Sequence, residues 1–193
     1  MIEIKGQRIY LREISPDDIT DKVMLWFEDK DLMKFYTNSR VSITKEVLIK
    51  SIDDGNKIGN LYTLGIFHIE DDCIIGTIKL GPINYNHMTS DLATLIGERS
   101  YLGKGLASDA INLGSQFAFS YFKIRKLYSG MYISNISSIK AYRRAGWLVE
   151  GRLKGQFLVN DINEDRLLAA CFNPIFFSED ELKEIRQNEE RYI

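Results

Sequence analysis

The chain has 193 residues, 45% of them apolar and 27% charged, and a formal net charge of −2. One domain with a sizeable core is the default at this length, and so even a charge balance excludes a broad nucleic-acid-binding surface. Cys73 and Cys171 lie far apart without metal-ligand spacing, so we expect no metal and no disulfide framework, but two buried small side chains in a reducing compartment.

Residues 1–6 lack an apolar signal core and no apolar run approaches a membrane span, so a cytoplasmic protein is expected. Residues 8–14 alternate apolar and charged positions, as a half-buried strand does. Ser15-Pro16-Asp17-Asp18 then starts a helix with a capping serine, a first-turn proline and two acids at its positive end. That helix is expected to turn Val23, Leu25, Trp26 and Phe27 inward. Residues 29–42 read as mixed and partly irregular, with Phe35-Tyr36-Thr37 among them. Thr44 caps a second helix, expected to end at Asp53-Asp54-Gly55-Asn56. Strand-like runs follow at 61–69, at 74–80 after a tight turn at Asp71-Asp72, and at 91–97 after a polar loop.

Residues 95–107, Leu-Ile-Gly-Glu-Arg-Ser-Tyr-Leu-Gly-Lys-Gly-Leu-Ala, read as a strand end, a polar turn, two glycines around a lysine, and a helix start. Glycine lets the backbone approach a ligand closely, and a helix start presents unpaired N–H groups backed by the helix dipole. The combination predicts a phosphate site. It is not a Walker loop, because neither Ser nor Thr follows the Gly103-Lys104 pair in Gly105-Leu106, and not a dinucleotide fingerprint, because position 108 is Ser108. The helix is expected to run to Tyr121, with apolar residues at helical spacing.

A strand at 126–133 leads to Asn135, which caps a helix stopping at Gly146. Ser138 and Tyr142 share one face of that helix. Residues 147–159 and 166–172 read as a final hairpin. A C-terminal helix opening at Ser178 is polar nearly all round and prone to fray. The division expected is one domain over 1–173 and a helical tail over 174–193.

Leu102-Gly103-Lys104-Gly105-Leu106-Ala107-Ser108-Asp109-Ala110, followed by Asn135 through Gly151, resembles the paired motifs of the GCN5-related N-acetyltransferase (GNAT) superfamily. The branch it is most similar to contains ribosomal-protein N-terminal and spermidine acetyltransferases. The resemblance covers nearly the whole chain and departs at Ser100, where the general pattern has Gln or Arg. It implies an α/β (α+β) fold: one mixed, mostly antiparallel, twisted sheet with helices on both faces and a splayed pair of central strands.

The resemblance implies acetyl-CoA as co-substrate. Its pyrophosphate would rest on Leu102, Gly103, Lys104, Gly105, Leu106 and Ala107, its amide-bearing arm would pair with Leu95, Ile96 and Gly97, and Asn135 and Ser138 would contact it. Acyl transfer needs a deprotonated amine and a proton for the departing thiolate. The resemblance assigns that acid to Tyr142, whose hydroxyl has an ordinary pKa of about 10. Asp91 and Glu98 are the candidate bases, with ordered water the alternative. Trp26, Phe27, Tyr36 and His87 are candidate acceptor contacts, since aromatic and polar groups suit an amine. A protein N-terminus, an amino sugar and a polyamine stay open as acceptors, and the resemblance also allows a homodimer. A catalytically silent domain that binds coenzyme A or a partner protein is the alternative reading.

Overall fold

The computed structural model describes residues 2–36 and 43–193. In chain order it runs β1 (Glu3–Lys5), β2 (Ile9–Glu13), a 3-10 turn (Pro16–Asp18), α1 (Asp21–Glu28), α2 (Lys30–Met33), α3 (Lys45–Ile58), β3 (Tyr62–His68), β4 (Cys73–Leu80) and β5 (Thr89–Ile96). After a second 3-10 turn (Arg99–Tyr101) come α4 (Leu106–Tyr121), β6 (Lys126–Tyr132), α5 (Ile136–Arg144), β7 (Leu148–Val159), β8 (Ile162–Phe172) and α6 (Glu179–Asn188). The strands form one sheet in the order β1-β2-β3-β4-β5-β6-β8-β7. No helix among the described residues is long and apolar enough to cross a membrane.

Every neighbouring pair is antiparallel except β5–β6. Helix α4 makes that crossover and buries Ala110, Ile111 and Ala118 in the core. Gly114 lets it lie close on the sheet, since a Cβ there would stand 2.4 Å from Ile78 Cδ1. The parallel seam is short. Only Thr89, Ser90 and Asp91 of β5 pair with β6, opposite Lys126, Leu127 and Tyr128. Beyond Asp91 the two strands part, which produces the expected splay. By strand alternation Leu92, Thr94 and Ile96 turn their backbone groups into the gap, because the Asp91 carbonyl already faces the other way, accepting from Gly81 N–H at 3.0 Å.

Three expected elements differ in the structure. The helix expected from Ser15 is two pieces. Asp18 folds back to accept from Ser15 N–H at 2.7 Å and is gripped by both Arg12 nitrogens, ending the first turn. Thr20 then caps α1, in which Val23 and Trp26 are buried but Leu25 is 59% exposed. Helix α3 runs past Gly55, where the absent side chain admits Leu61, whose carbonyl would be 2.8 Å from a Cβ. It ends at Gly59, in the left-handed conformation at φ 77°. The last hairpin is longer than expected, turning at Asn160 and Asp161, both at positive φ. The irregular stretch at 29–42 is described only to Tyr36; residues 37–42 lie outside the described residues.

The segment after Pro174 packs back on the sheet. Ser178 and Glu181 form a capping box, Leu182 is buried, and Glu189 accepts from Val149 N–H at 3.2 Å while pairing with Arg143 at 3.1 Å.

Candidate active site

Two cavities meet at the opening of the seam. The first, about 390 Å³, lies between the end of β5, the start of α4 and the face of α5. Gly103 and Gly105 both take left-handed φ, 74° and 79°, which sharpens the turn into α4. Gly105 is the N-cap residue, so no side chain satisfies the first N–H groups of α4. A Cβ at Gly103 would meet nothing within 4 Å, and one at Gly105 only Arg8 Nη2 at 3.5 Å. The loop is therefore open on its outer side and rigid on its inner side. Arg8, just before β2, supplies the rigidity: Nη1 donates to the Lys104 carbonyl at 2.9 Å and Nε to Asp109 at 2.7 Å.

Opposite that loop stands α5. Asn135 accepts from Ser138 N–H at 3.2 Å, and Ser138 and Tyr142 line the cavity from the same helix face. Tyr142 is 3% exposed and donates its hydroxyl proton to the Leu92 carbonyl at 2.7 Å, across the gap that opens after Asp91. Burial pushes its pKa up to about 12. Trp147 packs edge-on against it with ring centroids 4.8 Å apart, and Trp147 Nε1 is fixed by donation to Ser115 Oγ at 3.1 Å.

The second cavity, about 290 Å³, lies on the other side of that wall. Phe35, Tyr36 and Tyr132 give it an aromatic rim, and Lys79, Asp91 and Arg166 are its charged groups. Asp91 stands at the last paired rung of the seam. Burial raises its pKa to about 6, against the opposing pull of Arg166 and Lys79. Thr94, Asn135, Ser138 and Tyr142 line both cavities. The Thr94 hydroxyl is buried there without a partner, a polar atom left for a ligand. An uncapped helix start, a loop with room outside its glycines, an open strand edge and this orphaned hydroxyl together fit a phosphorylated acyl carrier.

Of the expected cofactor contacts, Ile96, Leu102, Gly103, Gly105, Leu106, Ala107, Asn135 and Ser138 line the first cavity. Leu95, Gly97 and Lys104 do not. By alternation Leu95 turns its backbone toward β4, Gly97 is covered by Trp26, and Lys104 sends Nζ over the Tyr101 ring at 5.0 Å. Of the expected catalytic groups, Tyr142 and Asp91 come together in the second cavity and Glu98 stays out. Glu98 is bound to Lys22 at 2.6 Å and to Ser100, which pull its pKa down. Of the expected acceptor contacts only Tyr36 lines the cavity. Trp26 is a packing residue, since a Cβ on Gly97 would sit 2.1 Å from its ring. Phe27 is half-buried away from both cavities. His87 is exposed in the loop before β5, its N–H donating to Asn84 and its carbonyl accepting from Arg125. Sequence reasoning missed Arg8, Lys79, Thr94 and Arg166 in these roles, because each sits in or beside a strand with an ordinary alternating pattern.

The sequence model of a family described as acetyltransferase (GNAT) domain matches residues 8–147. A probable N-acetyltransferase, YjcK, from Bacillus subtilis (strain 168) is 26% identical over 89% of this chain and 97% of its own length. The spermidine N(1)-acetyltransferase of Escherichia coli (strain K12) is 30% identical, over 54% of this chain and about half, 55%, of that enzyme. Among solved structures, the spermidine N-acetyltransferase of Vibrio cholerae in complex with CoA and spermine superimposes with a TM-score of 0.79 at 18% identity, covering 89% of this chain and 99% of that one.

Proposed function

The chain belongs to the GNAT family of acetyl-CoA-dependent N-acetyltransferases, and on that premise we propose that its two cavities divide the reaction between donor and acceptor. The observation that carries this reading is the shared wall: Thr94, Asn135, Ser138 and Tyr142 face both spaces. The donor side is the loop-and-helix cavity, where the first N–H groups of α4 hold the pyrophosphate. Bound acetyl-CoA supplies an activated thioester. The slot-facing backbone groups of Thr94 and Ile96 offer preorganised donors for the oxyanion that forms on attack.

The acceptor enters the aromatic-rimmed cavity with its amine at Asp91. A primary amine is protonated at neutral pH, with a pKa near that of lysine, about 10.4. Asp91, ionised above about 6, takes that proton. The amine nitrogen forms the new bond to the carbonyl carbon, and the carbon–sulfur bond breaks. Tyr142, held protonated by burial, gives its proton to the departing thiolate, and the second proton, shed by the nitrogen as the amide forms, restores the Tyr142 hydroxyl. Glu98 is already engaged by Lys22 and has no part in this scheme. The unpaired Cys73 and Cys171 suit a reducing cytoplasm.

A thiol-release assay with acetyl-CoA and a panel of primary amines tests the reading. Turnover on an amine is expected. Retained acetyl-CoA binding with no turnover on any amine would instead favour a silent coenzyme-A-binding domain.

A further inference from the structure

The acceptor cavity holds two cations and one carboxylate. Lys79 projects from β4 directly opposite Ala93, two residues from Asp91 on the same strand face. Arg166 reaches in from β8 on the far side of the seam and lies flat on Gly130 of β6. A Cβ at Gly130 would stand 1.8 Å from its Nε, so only glycine admits this placement. Its guanidinium carbon sits 5.9 Å from the Phe157 ring, which stacks on Tyr132 at 3.8 Å. Arg166 Nε is buried and has no partner. Among the described residues neither Lys79 nor Arg166 forms an ion pair.

The neighbouring carboxylates on β8 are engaged elsewhere. Glu164 accepts from Ser134 N–H at 2.9 Å and Ser134 Oγ at 2.5 Å. Asp165 is held by Arg152 at 2.6 Å, Lys154 and the Gly155 N–H. The stretch following Tyr36, residues 37–42, has Arg40 as its single ionisable side chain and adds no carboxylate. Asp91 is therefore the one anion of the cavity, and it is needed by the amine. A polycation would bring further positive charge toward Lys79 and Arg166, which is electrostatically unfavourable.

We propose that the acceptor is an amine that also bears an anionic group, a carboxylate or a phosphate, received by Lys79 and Arg166 while the amine lies at Asp91. The inference rests on reading this cavity as the acceptor side. A planar guanidinium that lines the cavity without an ion-pair partner suits the oxygens of either anion, and Lys79 adds a point charge.

The test is steady-state thiol release with matched acceptors. One arm compares an α-amino acid with its carboxamide, a second compares phosphoethanolamine with ethanolamine, and spermidine is run alongside. The expected result is a preference of at least about tenfold in kcat/KM for the anionic member of one pair, expressed mainly in KM. The arm that shows it tells carboxylate from phosphate. Arg166→Met should collapse the ratio toward one, and Arg166→Lys should keep part of it, both checked for unchanged melting and acetyl-CoA affinity. Turnover with ratios at or below one, or with spermidine as the best acceptor, overturns the proposal and leaves the acceptor-side reading standing. Binding of acetyl-CoA without turnover on any amine overturns both.

Discussion

The donor and acceptor cavities share a wall but are built on different principles. The donor side is made of backbone: a helix start without a side-chain cap, two glycines at positive φ, and the open edge of β5. Its chemistry follows from local conformation, so it can be written in a dozen consecutive residues. The acceptor side is made of side chains delivered by strands distant in sequence: Lys79 from β4, Asp91 from β5, Tyr132 from β6 and Arg166 from β8. Local geometry can recognise a pyrophosphate of constant shape, whereas distinguishing one amine from another takes charges and rings placed in three dimensions.

Substitutions in each half should therefore fail in different ways. The largest effect is expected at Asp91. Asp91→Asn should lower kcat/KM by about 10²–10⁴-fold, the range for loss of a general base, while acetyl-CoA affinity holds. In the intact protein kcat/KM should rise with pH through about 6, where this carboxyl ionises. Stability should move the opposite way. Burial favours the neutral form, so the contribution of Asp91 is fully present below its ordinary value of 3.8 and is lost as pH rises through about 6. Asp91→Asn should then stabilise the protein at pH 8 by about 1–3 kcal/mol, and not at pH 4, as read by thermal melts at the two pH values. An inactive variant that gains no stability at pH 8 would mean that Asp91 is not desolvated.

Next in size, Tyr142→Phe should cut kcat by about 10²-fold with little change in acetyl-CoA affinity, because the lost proton matters only as the thiolate leaves. Unchanged turnover would remove Tyr142 from the mechanism. On the donor side Gly105→Val should weaken acetyl-CoA binding at least about tenfold by calorimetry, through left-handed strain of about 1–2 kcal/mol and the branched side chain in the ligand's path. Little in the protein crowds that position, so the loss would report on the ligand. The smallest effect is expected for Arg8→Gln, a severalfold rise in the KM for acetyl-CoA with kcat nearly unchanged, since Arg8 steadies the loop from behind.

The same contrast explains what could be read before the fold was known. The order of the major elements, the cap at Asn135, the helix after Gly105 and the placement of Tyr142 were legible, because each depends on neighbours within a few residues. Trp26 was expected at the acceptor and packs on Gly97 instead of lining the cavity, since an aromatic on a helix looks the same in sequence whether it meets a ligand or a bare glycine face. The ion pair of Glu98 was not legible for a similar reason: the lysine that engages it, Lys22, lies far back in the sequence on α1. Arg166 was invisible because its place is made by a glycine on another strand, Gly130, with no sequence signal linking the two.

The brevity of the parallel seam also bears on time. The strands β1 to β5 pair in succession through antiparallel neighbours, and β6, β7 and β8 form a second antiparallel set. Only three rungs, reached by way of a sixteen-residue helix, join the two sets. Such non-local parallel pairing costs more chain entropy than the hairpins on either side. The seam is accordingly expected to close last on refolding, and regained turnover should lag behind regained strand signal in a stopped-flow comparison. The enzyme would then be switched on by the final act of its own assembly.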